Sequence, residues 1–142
     1  MAYDASTFES GAANCTTPEE RMEFLRDFLD GIKPNDPHTR FDMGVWYDTK
    51  GGLECDTVAC IGGWACCLFL PNRNLRDVSI TEAGALIGLS YSDASALFYP
   101  ATVYYIDGRS RRPYDITPQQ AVKVLDRYLA IGEIEWGAAW ED

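Results

Sequence analysis

The segment CDTVACIGGWACCLFLP, residues 55–71, contains four of the chain's five cysteines and carries no charge after Asp56. We interpret it as a helix from about Thr57 to Leu70, ended by Pro71, because proline cannot continue a helix. Such a helix is apolar nearly all round and is stable only when other elements cover it. The sequence therefore predicts a mainly α, compact single-domain helical fold of about five helices around this buried central helix. A small β-hairpin or long loop is expected near Tyr104–Tyr114, where a D-G turn lies between two extended runs.

Two other segments, TPEERMEFLRDFLDGI and TPQQAVKVLDRYLAIG, begin with the same helix-start signal one hundred residues apart. In each, threonine is the expected N-cap, proline follows it, and a glutamate or glutamine completes a capping box. The apolar stripe of the first is expected to be buried and comprises Met22, Leu25, Phe28, Leu29 and Ile32. The stripe expected for the second comprises Val122, Leu125, Tyr128 and Leu129, and the two helices should end at Gly31 and Gly132.

Between these segments, the sequence ITEAGALIGLSYSDASALFYP predicts two short helices capped by Thr81 and Ser90. Gly88 should close the first helix in a left-handed turn, with Leu89 packed behind it. The pair resembles a helix-turn-helix, but no Lys or Arg occurs between Arg76 and Arg109. Since a recognition helix needs donors for phosphates and bases, we predict no specific nucleic-acid binding. In residues 40–54 the alternation of Phe41, Met43, Val45 and Tyr47 allows a short strand, but we favour irregular structure with a short helical turn.

Composition and charge limit the class of protein further. The chain has 142 residues and a net charge of -10, so its surface repels nucleic-acid phosphates and anionic membranes. We interpret residues 1–14 as a loose leader and residues 15–142 as one domain. The start, MAYDASTFESGAANC, has neither a basic region nor an apolar run, so no signal peptide is expected. We therefore expect the protein in the cytoplasm, with reduced thiols.

The motifs FDMGVW, CDTVACIGGWA, AGALIGLSYSDASALF and a last helix ending in GEIEW occur in this order. That order resembles a family of small, uncharacterised bacterial and phage proteins with the patterns F-x-M-x-x-W, C-x-T-x-A-C-x-x-G-[HW]-A and L-G-L-x-x-x-x-A-x-x-L-F. The likeness covers about Thr17 to Trp136 and departs at Asp56 and Gly62, where the family usually has Gly and often Ala. The resemblance implies a phage or bacterial setting and no particular chemistry.

The cysteines admit a structural and a chemical interpretation. With Asp56 as N-cap, Cys55 and Cys60 would occupy the two positions that meet in a hydrophobic staple. The other hypothesis is a reactive thiol at a helix N-terminus, or a redox pair of the same two residues, although the chain's single histidine, His38, lies in a turn-rich linker. The adjacent Cys66 and Cys67 do not have the spacing of a zinc site and are expected in the core, so no metal and no cofactor are expected.

The candidate ligand- or partner-contacting residues are Trp46, Gly62, Gly63, Trp64, Arg109, Arg111, Arg112 and Trp140. Gly62 and Gly63 each cost about 1 kcal/mol relative to alanine inside a helix, so a close helix or a ligand should compensate. The arginine cluster could hold an anion or remain solvated. In the acidic tail we expect Trp136 to pack on the core and Trp140 to meet a partner.

We therefore expect an acidic binding protein of phage or bacterial origin that is not an enzyme and acts as an inhibitor by occupying a host protein. Two other hypotheses stay open. One is a pocket protein for a small ligand such as a nucleotide, and the other is a cysteine-dependent enzyme. The partner is expected to be a protein, and no membrane contact is expected. The sequence does not define the oligomeric state.

Overall fold

The structure is a computed structural model that describes residues 11–32, 47–48, 58–70, 77–99, 104–106, 109–111 and 116–136. The chain is mainly helical in these ranges, as predicted. Five helices carry the fold: α1 (Pro18–Asp30), α2 (Ile61–Phe69), α3 (Ile80–Leu86), α4 (Tyr91–Phe98) and α5 (Pro118–Ile131). None of the helices within the described ranges is both long and apolar enough to cross a bilayer.

Two short antiparallel strand pairs complete the described elements. Strand β1 (Tyr47–Asp48) pairs with β2 (Val58–Ala59), with Tyr47 opposite Ala59. Strand β3 (Tyr104–Ile106) pairs with β4 (Arg109–Arg111), with Tyr104 opposite Arg111, where the D-G turn predicts a hairpin. The irregular conformation predicted for residues 40–54 is therefore wrong at Tyr47 and Asp48.

The start of α2 differs from the prediction. The helix begins at Ile61 rather than Thr57, because Val58 and Ala59 are extended and hydrogen-bonded to β1. Cys60 is the N-cap, and its Sγ accepts a hydrogen bond from the backbone N–H of Gly63 at 3.5 Å. A residue at the N-cap cannot also occupy the fourth helical position, so the predicted staple of Cys55 and Cys60 under an Asp56 cap is wrong. Cys55 itself lies outside the described residues.

Helix α2 is buried against other described helices. All residues from Ile61 to Leu68 are buried, and the helix contacts α1, α3 and α4. The ring of Trp64 packs on Phe28 of α1, with 4.8 Å between ring centroids. Burying an apolar side chain of this size stabilises a fold by about 1.5–3 kcal/mol, so α2 contributes to holding α1, α3 and α4 together.

Helices α1 and α5 form an antiparallel pair. Both predicted capping boxes are present, with Thr17 and Glu20 in one and Thr117 and Gln120 in the other. The Arg26 guanidinium donates to both carboxylate oxygens of Asp126, with nitrogen–oxygen distances of 2.8 and 3.2 Å. This hydrogen-bonded carboxylate raises the pKa of the Arg26 side chain.

The buried face of α1 is as predicted, whereas that of α5 is shifted. Met22, Leu25, Phe28, Leu29 and Ile32 are all buried. In α5, Val122 and Leu125 are buried, but Leu129 is 37% exposed and the core also takes Ala121 and Val124. Leu129 of the predicted stripe therefore lies at the edge of the core rather than inside it.

Helices α3 and α4 form a corner. The cap of α3 is Ser79 and not Thr81, so the helix begins two residues earlier than predicted. Gly88 adopts a left-handed conformation with a φ of 78°, and Leu89 behind it is buried, as predicted. The closest approach is at Gly84, where an added Cβ would lie 2.6 Å from the Cβ of Ala94.

The segments before α1 and after α5 also pack on the core. Residues 11–13 form a helical turn with Ala12 buried, so the packed part of the chain includes residues that the sequence assigned to the leader. After α5, Trp136 is 4% exposed and its indole N–H donates to the carbonyl of Ala96 in α4 at 2.8 Å. The expectation that Trp136 packs on the protein's own core is confirmed, while Trp140 lies outside the described residues.

Candidate partner-binding groove

The structure places several of the predicted site residues in the core. Gly62, Gly63 and Trp64 are buried within α2 and line no described surface, because the helix is covered by its neighbours. The backbones of Arg109 and Arg111 lie in β4. Trp46, Arg112 and Trp140 lie outside the described residues. The candidate contact residues are therefore not brought together at one described site.

The described cysteines do not form a reactive or metal-binding cluster. Cys15, Cys60, Cys66 and Cys67 are thiols rather than disulfides, and the last three are buried. Burial and the nearby charge of Glu20 raise the pKa of the Cys15 thiol, which keeps it protonated. Within the described ranges, no group of three or more His, Cys, Asp or Glu side chains could hold a metal ion.

An open groove lies instead where α1, the α3–α4 corner and α5 meet. Its volume is about 540 Å³. Its lining comes from Thr17, Pro18, Glu19 and Met22 at the start of α1, Ile87 and Gly88 at the corner, and Tyr128, Leu129 and Gly132 at the end of α5. The floor is apolar, since Met22 and Ile87 are buried, and the apolar wall of Leu129 is 37% exposed.

The groove is held in shape by contacts that the described residues make around it. The Arg21 guanidinium donates to the carbonyl of Leu86 at 3.1 Å and joins α1 to the end of α3. Gly88 leaves space at the same junction, where a side chain would place its Cβ 3.1 Å from the Cβ of Pro18. The Arg26–Asp126 ion pair fixes the middle of the α1–α5 pair. Two side-chain contacts and one close backbone approach therefore hold the walls together.

The register of the α1–α5 pair explains why one end of it is closed and the other open. At the closed end, the Gln119 side-chain amide donates to the carbonyl of Ile32 at 2.6 Å. The same antiparallel register places Glu19 beside Gly132 at the other end, where both line the groove. Glu19 has the same helical position as Gln119, directly before the capping-box residue, but its carboxylate has no N–H to donate. The end with glutamate therefore lacks the hydrogen bond that closes the end with glutamine.

Sequence reasoning did not identify this groove. Glu19 belongs to a helix start that was correctly predicted, but its position opposite Gly132 depends on the pairing of two helices distant in the chain. A signal was present in the two equivalent helix starts, which differ at this position by glutamate in one and glutamine in the other.

Comparison of the chain with protein-family models, with curated proteins and with solved structures gives no match. The resemblance to a family of small bacterial and phage proteins stays a prediction.

Proposed function

We propose that this chain is a non-enzymatic acidic binding protein of phage or bacterial origin that inhibits a host protein by occupying it in the cytoplasm. In this proposal, residues 15–142 act as a compact single domain built around α2. The observation that carries the proposal is the open groove with an apolar floor on a chain of net charge -10. Exposed apolar residues framed by polar ones are typical of protein-binding surfaces.

Exposed apolar side chains near the groove support a protein as the partner. Leu129 is 37% exposed and lines the groove, and Ile131 in the same helix turn is 56% exposed. Placing such side chains in contact with a partner removes apolar area from water at about 25 cal/mol per Å². A partner that covers this end of α5 would therefore gain affinity from residues that the fold leaves exposed.

Affinity capture from a bacterial lysate tests the proposal, with Leu129→Ser as the groove variant. The neighbouring Ala130 is also exposed but does not line the groove, so Ala130→Ser is the matched control. We expect the same protein to be captured by the wild type and by Ala130→Ser, with reduced capture by Leu129→Ser. Failure of the wild type to capture any protein at low salt would count against the proposal.

A small ligand is the second candidate, because a volume of about 540 Å³ lies within the range of small-molecule sites. Native mass spectrometry of the purified protein distinguishes the two. A reproducible mass increment that the Leu129→Ser variant loses would favour a small ligand over a protein.

A cysteine-dependent activity makes a different demand on the protein. The nucleophile is the thiolate, so at least one thiol must be reached by an alkylating reagent in the folded state. Cys60 is 2% exposed, and we expect its alkylation to be slow relative to that in unfolded protein. Fast modification of Cys55 or Cys60 with loss of partner binding and unchanged stability would favour the enzyme hypothesis.

A further inference from the structure

We propose that the groove recognises a Lys or Arg side chain of a basic partner segment, with a neighbouring apolar side chain of that segment packed on Tyr128 and Leu129. This inference rests on the proposed function and specifies the chemistry of the partner. Its basis is a set of hydrogen-bond acceptors at the open end of the α1–α5 pair.

Glu19 supplies the first acceptors. Its side chain is exposed at the groove, and the described residues present no cation or donor to its carboxylate in hydrogen-bond or ion-pair range. At the opposite end of the pair, the side-chain amide of the corresponding Gln119 donates to the carbonyl of Ile32. A carboxylate at this position can only accept, so the exposed Glu19 side chain can take a donor from a partner.

The end of α5 supplies further acceptors. The last turn of a helix leaves carbonyl groups without intrahelical donors and carries a partial negative charge. Gly132 donates its N–H to the carbonyl of Tyr128 at 2.7 Å, and among the described backbone hydrogen bonds none runs from Glu133, Ile134 or Trp136 to the carbonyls of Leu129, Ala130 and Ile131. The last turn of α5 also contains no basic residue. An ammonium or guanidinium group at Glu19 would therefore meet a second source of negative potential.

The N-terminus of α1 lies at the same place and has the opposite sign, but its positive charge is already compensated. The Glu20 carboxylate accepts from the backbone N–H groups of Thr16 and Thr17 at 3.2 and 3.1 Å. The hydroxyl of Thr17 in turn accepts from the N–H of Glu20 at 3.1 Å. With these donors occupied, the additional charge of Glu19 gives this rim a net preference for a cation.

The apolar wall indicates that the cation belongs to a larger segment. Tyr128 is half-buried and Leu129 is 37% exposed, so both present apolar area beside the acceptors. The aliphatic stem of Lys or Arg packs on such a wall while its charged end reaches the rim. The neighbouring apolar side chain of the partner segment then covers the part of the groove toward Ile87.

Charge complementarity selects a basic segment over a second copy of this chain. Two copies would each carry a net charge of -10 and repel one another at low salt. A basic segment is attracted by the same charge, which speeds its association and makes it sensitive to salt.

Selection from a displayed library of random 12-residue peptides on the immobilised full-length chain tests the inference. Peptides that bind Glu19→Gln are removed in a counter-selection. We expect the remaining peptides to contain Lys or Arg next to Leu, Met or an aromatic residue. Fluorescence anisotropy with individual peptides should then show about threefold to fivefold weaker binding to Glu19→Gln, the effect of losing one exposed ion pair.

Glu23→Gln is the matched control. It removes the same charge from α1, and Glu23 is exposed but does not line the groove. We expect it to bind selected peptides within about twofold of the wild type after correction for net charge. Equal weakening by both variants would reduce the effect to overall charge and overturn the inference. Enrichment of acidic or uncharged peptides, or of none that depend on Glu19, would overturn it as well, as would concentration-dependent self-association that Glu19→Gln abolishes.

The same variants separate this inference from the proposed function. If the wild type captures a protein from lysate and Glu19→Gln captures it equally well, the partner binds elsewhere and the cation site is wrong while the proposed function stands. If no protein is captured yet Glu19-dependent peptides are selected, the groove chemistry stands and the proposed function fails.

Discussion

Glu20 and Gln120 occupy the same position in two capping boxes, but glutamate can change its charge and glutamine cannot. Hydrogen bonds from Thr16 and Thr17 lower the pKa of Glu20, with the Thr16 hydroxyl as the largest contributor. The oxygen–oxygen distance to that hydroxyl is 2.9 Å. Each bond favours the ionised carboxylate, so protonation weakens the start of α1 and leaves the start of α5 unaffected.

Replacing Glu20 with Gln should make unfolding less dependent on pH. The folded-state pKa of Glu20 is lowered, so the ionised carboxylate stabilises the fold fully above the ordinary glutamate pKa of about 4.3. This stabilisation is lost as pH falls through the lowered folded-state pKa. The difference in unfolding free energy between the wild type and Glu20→Gln should shrink over that range. Urea unfolding between about pH 6 and pH 3 measures it. Glu23→Gln is the control, and an equal pH response in both variants would contradict the expectation.

The two left-handed glycines give a matched pair of substitutions. Gly88 has a φ of 78° and Gly132 a φ of 75°, but an added Cβ is 3.1 Å from Pro18 at Gly88 and meets nothing within 4 Å at Gly132. Gly132→Ala should cost about 1–2 kcal/mol for backbone strain. Gly88→Ala should cost more, because the Pro18 contact adds to the same strain. Thermal unfolding of both variants checks the order, and equal losses would mean that Pro18 moves away without cost.

At the scale of elements, the contact between α3 and α4 depends on the absence of one side chain. Gly84→Ala improves helix propensity by about 1 kcal/mol, yet its Cβ would lie 2.6 Å from that of Ala94. We expect a net destabilisation of about 1–3 kcal/mol from overpacking. Ala94→Gly should relieve the clash, so a double-mutant cycle should show favourable coupling between the two changes. Additive losses would show that the helices separate freely.

Helix starts were predictable where the signal is local. Thr17, Pro18 and Glu20 specify the start of α1 within four residues, and the structure follows them. The start of α2 is set differently, since Val58 and Ala59 pair with β1, and the sequence did not indicate this pairing. The N-cap then falls on Cys60, a residue type that is seldom chosen for this position.

The candidate site was not predictable for a related reason. The sequence correctly marked the apolar residues of α1, but the exposure of Leu129 and the position of Glu19 beside Gly132 follow from the register between two helices. Helix periodicity indicates which face is apolar. It contains no information about where along a partner helix that face ends.

For the whole molecule, the distribution of charge leads to a prediction about nucleic acid. The net charge is -10, and α4, the second helix of the α3–α4 corner, contains Asp93 and no basic residue. Affinity for DNA comes largely from Lys and Arg side chains that neutralise phosphates and release counterions, and this helix has none. We therefore expect no specific duplex binding at about 0.15 M salt. An electrophoretic mobility shift with random-sequence and genomic duplexes tests this, with a basic DNA-binding protein as positive control. A shifted band that persists against excess competitor would refute it.

The pairing of α1 with α5 has a consequence for biosynthesis. Arg26 and Asp126 are separated by 100 residues, so translation at about 5–20 residues per second delays their contact by about 5–20 s. During that time the part of α1 that packs on α5 has no cover, and a ribosome-bound chain exposes it to chaperones and proteases. Final closure of the fold must therefore wait until the ribosome has released α5. Codon usage or pausing upstream of Thr117 would then change the yield of folded protein while leaving its equilibrium stability the same.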